Sequence, residues 1–112
     1  MSENPNTGRI SFDLSFASNR YAWLLATCPD AKLRDGAKAI ELATRACLLT
    51  NWRFAECMET LAAANAEAGK FDDAVKWQSK VIEQFPSIFR AKERSSRLEL
   101  YRSKKTYRVA ER

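Results

Sequence analysis

The chain has 112 residues, a formal net charge of +5 and no histidine. That length makes one domain able to bury its own core, and 46% apolar with 11% aromatic residues excludes global disorder. Without an imidazole there is no His general acid or base, no Ser-His or Cys-His nucleophile pair and no zinc site with a His ligand.

Three isolated glycines do not make a phosphate-binding loop, and Cys28, Cys47 and Cys57 lack metal-ligand spacing. Catalysis would have to rest on carboxylates, lysine or thiols, so a non-enzyme with no metal or cofactor is expected. The carboxylates Glu56 with Glu59, and Asp72 with Asp73, read as solvated helix surface or helix N-termini. The cysteines read as small apolar core residues, with Cys28 the most accessible because it precedes Pro29 at a helix end. No apolar run reaches the length of a membrane span. The opening residues carry no basic and apolar signal regions, so a cytoplasmic location is the expectation.

In chain order, residues 1–14 form a polar, flexible N-terminal segment, in which Ile10, Phe12 and Leu14 alternate and are placed to fold back on the domain. Residues 15–103 make one helical domain. Its first helix, 15–28, is apolar nearly all round through Phe16, Ala17, Tyr21, Ala22, Trp23, Leu24 and Leu25, which calls for cover on two sides. Pro29-Asp30 ends it, and Asp35-Gly36 starts a second helix over 36–50. Trp52 sits in the linker and is expected to plug the junction before a third helix over 53–68.

Gly69 supplies the left-handed cap that closes the third helix, and Asp72-Asp73 put negative charge in the first turn of the fourth, 71–85. There Ala74, Val75, Trp77, Gln78, Val81, Ile82 and Phe85 recur at three- and four-residue spacing until Pro86 stops the helix. The fifth helix is predicted over 87–103, capped by Ser87, with one apolar stripe of Ile88, Ala91, Ser95, Leu98 and Tyr101. Residues 104–112 form a basic tail.

Two of these helix pairs repeat. A shift of 35 residues carries Ala39 onto Ala74, Ile40 onto Val75, Leu42 onto Trp77, Ala46 onto Val81 and Cys47 onto Ile82. A helix-pair repeat of that period belongs to stacked solenoids. Ala62 and Ala74 are small enough for two antiparallel helices to approach closely across the turn.

The run Leu61-Ala62, Gly69-Lys70-Phe71-Asp72-Asp73-Ala74-Val75, Trp77 to Glu83 and Pro86 resembles a tetratricopeptide repeat. Asn65 stands where that family has an aromatic, Val81 where it has alanine, and Asn51 where the first copy would have its terminal proline. The first copy also has five extra residues between its helices. The resemblance implies an all-α fold: an α-α superhelix, or solenoid, of two helix-turn-helix repeats with a fifth capping helix.

It further implies a protein-binding adaptor or scaffold whose concave groove holds a peptide. The groove positions fall on Asn19, Arg20, Trp23 and Thr27, on Glu59, Thr60, Ala63 and Glu67, and on Arg90, Arg94 and Arg97. Trp23 also reads as a core residue. A carboxylate clamp known in some members is not expected, because Asn19 and Trp23 stand where Lys and Asn belong, Thr60 replaces a second Asn, and only Arg90 and Arg94 match.

Charge is unevenly spread. Residues 87–112 hold nine Lys/Arg and three acids, so the entire positive excess lies there. Such a stretch is either a solubilising end or a surface for an acidic peptide or other polyanion. Tyr101 and Tyr107 interleave with Arg102, Lys104, Lys105 and Arg108, a pattern that also suits nucleic acid. The partners expected are therefore a protein or peptide, a second copy through the apolar first helix, or nucleic acid as the alternative, and no membrane.

Overall fold

The computed structural model describes residues 7–109, with side chains from residue 13 onward. The helix starts and stops anticipated from Pro, Gly and Asp are largely where the backbone places them. Helix α1 spans Thr7–Thr27, α2 Gly36–Leu49, α3 Ala55–Glu67, α4 Phe71–Gln84 and α5 Ala91–Arg102, with a 3-10 turn at Ala31–Leu33. No strand occurs among the described residues.

Local chemistry explains the boundaries. Asp30 and Asp35 accept from the backbone N–H groups of Lys32 and Lys38, each at 3.0 Å, and so cap the 3-10 turn and α2. Three helices end alike, with a left-handed residue and a six-to-one hydrogen bond. At α3 this residue is Gly69 (φ 81°), and Lys70 N–H reaches the Asn65 carbonyl at 2.8 Å. At α2 it is Asn51 (φ 53°), with Trp52 N–H on Cys47, and at α5 it is Lys104 (φ 58°), with Lys105 N–H on Leu100, both at 2.8 Å.

Each helix packs against the next in the chain, and α1 also packs against α3. The main core joins Ala22, Leu25 and Ala26 of α1 to Ala39, Leu42, Ala43, Ala46 and Cys47 of α2 and to Cys57, Met58, Leu61 and Ala64 of α3. A second cluster holds Ala62, Ala66, Ala74 and Tyr101, so the two small residues expected to meet across the α3–α4 turn share one buried site. Small residues permit the close spacing: a Cβ on Gly36 would lie 2.7 Å from the backbone nitrogen of Ala68. Trp52 is half-buried and stacks on Trp77, with centroids 5.1 Å apart and planes 8° from parallel.

Several boundaries differ from the sequence reading. Helix α1 begins at Thr7, so the polar stretch 7–14 is helical, because lengthening an existing helix costs far less than starting one. Residues 1–6, the side chains of Ile10 and Phe12, and residues 110–112 lie outside what is described; Leu14 is half-exposed. Helix α5 begins at Ala91 and not at residue 87. Arg90 N–H turns back to the Ser87 carbonyl at 3.3 Å, and Ser87 makes no cap.

The inward face of α5 also differs. It is Arg94, Arg97, Leu98 and Tyr101, whereas Ala91 and Ser95 are exposed and Ile88 is 88% exposed. Buried Glu59 on α3 draws two arginines inward and so sets the rotation of α5. Beyond Lys104 the chain folds back on α1 and α3 instead of leaving as a basic tail.

Candidate functional site

A cavity of about 590 Å³ opens between α1, α3 and α5. Helical spacing puts Asn19, Arg20, Trp23 and Thr27 on one side, successive turns of α1 supplying them. Helix α3 contributes Glu56, Glu59 and Thr60 from its first two turns. Arg90 and Arg97 close the side at α5, and Val109 lies at the cavity from the returning segment. Eight of the eleven residues anticipated from the resemblance therefore line one hollow: Asn19, Arg20, Trp23, Thr27, Glu59, Thr60, Arg90 and Arg97.

The other three do not line it. Ala63 is buried in the core. Glu67 is half-buried between Arg34, at 3.5 Å, and Arg108, at 2.5 Å. Arg94 is 4% exposed and engaged throughout: its Nε donates to Glu59 Oε1 at 3.2 Å and its guanidinium to the Phe85 carbonyl at 2.5 Å. Arg90 alone of the three arginines is exposed. The shared arginine face is thus mostly spent inside the fold.

Glu59 is 4% exposed and accepts from both Arg94 and Arg97, the latter also at 3.2 Å. It is a buried ion-pair hub and not the solvated carboxylate expected from its spacing with Glu56, which does stay exposed. Arg97, 7% exposed, also donates to Glu93. Its guanidinium carbon lies 5.1 Å from the Trp23 ring centre and 4.6 Å from that of Tyr107. The two rings are 5.6 Å apart. A cation held by two aromatic faces and two carboxylates makes a fixed end wall for the cavity. Trp23 is both a wall residue and a half-buried neighbour of the core.

Sequence reasoning missed the contribution of segment 105–109. Helix α1 ends without a glycine cap, so its last carbonyls need partners from elsewhere. Arg34 donates to the carbonyls of Cys28 and Pro29, at 2.8 and 3.1 Å. Arg108 donates to that of Ala26 at 3.4 Å, and Val109 N–H to that of Thr27 at 3.0 Å. Two guanidinium groups at a helix C-terminus also match its dipole. Pro29 directly after Cys28 was the available signal that α1 would need outside donors.

Polar groups in the wall differ in what they can still bind. Thr27 and Thr60 donate their hydroxyls back to Trp23 and Glu56 carbonyls, at 2.7 and 2.9 Å. Asn19 Oδ1 and Arg97 Nε, both buried atoms, have no hydrogen-bond partner among the described residues. Arg20 and Arg90 are exposed, and no ion pair engages either among the described residues.

The three cysteines are buried, Cys28 included, contrary to its expected accessibility. Cys47 and Cys57 shift one another in opposite directions: interaction with Cys57, with burial adding to it, pushes the Cys47 thiol up, while Cys47 holds Cys57 down despite burial. No cluster of metal-ligating side chains occurs among the described residues. Among the described residues no helix is long and apolar enough to cross a membrane. Comparison with family models, curated proteins and solved structures gave no match.

Proposed function

We propose that this chain is a non-catalytic protein-interaction module of tetratricopeptide-like design. Two helical hairpins stack as a short solenoid, α5 caps them, and the hollow between α1, α3 and α5 receives a polypeptide segment. The observation that carries this reading is the convergence of eight residues, chosen from sequence resemblance, on a single cavity. The stepwise packing of the helices and the shared burial of Ala62 and Ala74 support the stacked arrangement. The cavity volume lies within the range that a few peptide side chains fill.

Exposed Arg20 and Arg90 at the cavity favour acidic residues in the partner. Nothing in the placement of Tyr101 favours the nucleic-acid reading, because its ring is fully buried and unable to stack on a base. Arg102 and Arg108 from the same stretch are paired with Glu99 and Glu67.

Screening the protein against a displayed library of random peptides tests the proposal. Trp23→Ala should abolish capture of the selected sequences, whereas Leu48→Ala, on an exposed α2 position, should leave it unchanged. Peptides selected equally well by both variants would place binding outside the cavity.

A further inference from the structure

Segment 106–109 closes one end of the cavity, where Val109 lines it and Tyr107 backs its Trp23–Arg97 wall. The Tyr107 ring lies against Trp23 and over the Arg97 guanidinium. Arg108 pairs with Glu67, and the Val109 backbone donates to Thr27. The segment is non-helical, so its backbone is available to bond outward. Lys104 makes the approach possible: its left-handed backbone turns the chain back from the end of α5.

Every one of these contacts is of a kind a separate polypeptide can make. An aromatic ring, a guanidinium and a backbone N–H are all that the site reads. The same hollow is also lined by Asn19, Arg20 and Arg90. Arg20 and Arg90 are exposed there, whereas the unpartnered Asn19 Oδ1 is buried.

We infer that the groove takes a non-helical peptide of the order aromatic–arginine–aliphatic at the end where segment 106–109 lies, and that this segment competes with it from within the same chain. This rests on the groove being a peptide site. The aromatic packs on the Trp23–Arg97 wall, the arginine meets Glu67 beside the cavity, and the aliphatic residue takes the Val109 position at Thr27. The tethered segment has a high local concentration, so a partner binds only by displacing it.

The test is fluorescence polarisation with the labelled peptide Lys-Thr-Tyr-Arg-Val. It is titrated with the full chain and with the double variant Tyr107→Ala, Arg108→Ala. The double variant should bind at least ten-fold more tightly, because a competitor docked about nine-tenths of the time weakens apparent affinity by that factor. Replacing Tyr-Arg by Ala-Ala in the peptide should remove the binding. Val109→Pro, which deletes the N–H donated to Thr27, is the second release variant; circular dichroism verifies helicity in each. Equal affinity for the intact and released proteins would overturn the competition. Equal binding of the Ala-Ala peptide would overturn the recognition chemistry. If released protein binds other peptides through Trp23 but not this one, the groove reading stands and this inference falls. If it binds no peptide through Trp23, both fall.

Discussion

Glu59 shows how one buried carboxylate organises several elements. Its two arginine partners come from α5, 35 and 38 residues away in sequence, and are nearly as buried as it is. Neutralising Glu59 would leave Arg94 and Arg97 desolvated with less counter-charge. Glu59→Gln should therefore destabilise the fold by about 3–5 kcal/mol, seen as a lower midpoint in urea unfolding. A change below about 1 kcal/mol would mean that the hub is not the anchor of α5.

Tyr101 presents the opposite case. Its ring is fully buried, yet its hydroxyl has no hydrogen-bond partner among the described residues. Burial raises its pKa, partly offset by the nearby Arg97 charge. The folded state thus holds the phenol proton more tightly than the unfolded chain, whose tyrosine titrates near about 10. The unfolded state loses that proton first, so this group lowers stability as pH rises above about 10. Tyr101→Phe should be neutral or stabilising by about 1 kcal/mol at neutral pH and should lessen the alkaline loss. Thermal melts of both proteins at neutral and alkaline pH measure the difference; a large destabilisation at neutral pH would reveal an unrecognised partner for the hydroxyl.

At the scale of elements, helix ends decide where the chain goes. Three ends use a left-handed residue, but only α3 uses glycine for it. Lys104 carries a side chain in a conformation that costs about 1–2 kcal/mol for most residues. Lys104→Gly should raise stability by about 1 kcal/mol in chemical denaturation while retaining the turn that returns segment 105–109 to α1. No gain would imply that the Lys104 side chain offsets its own backbone cost.

Boundaries set by these local signals were legible: Asp35-Gly36, Gly69 and Pro86 mark helix limits close to where the structure has them. The start of α5 was not legible, because it depends on Arg94 reaching the Phe85 carbonyl and Glu59, the latter 35 residues away in sequence. The same holds for its inward face. Arginines at three- and four-residue spacing look like a solvent face, and only a buried acid elsewhere reverses that reading.

For the whole molecule, the candidate groove was more legible than the segment that partly fills it. The resemblance alone named eleven groove residues, and eight of them line the cavity. Tyr107 and Arg108 looked like exposed polyanion contacts, since nothing local connects them to Trp23 or Glu67. Helix α1 also keeps Leu14, Tyr21 and Leu24 about half-exposed. Apolar surface along one helix suits self-association, so sedimentation velocity across a hundred-fold concentration range should show a dimer that Leu24→Glu removes. A constant monomer would rule out this face as a dimer contact.

By itself the sequence determined what depends on neighbours along the chain: an all-helical backbone, the helix breaks, and the small residues that let α3 and α4 pack together. Only the tertiary structure decided the fate of the charged residues. An ion's solvation depends on which opposite charge or ring lies beside it in space. Glu59 therefore became a buried hub, and the basic stretch after α5 folded back on α1 and α3.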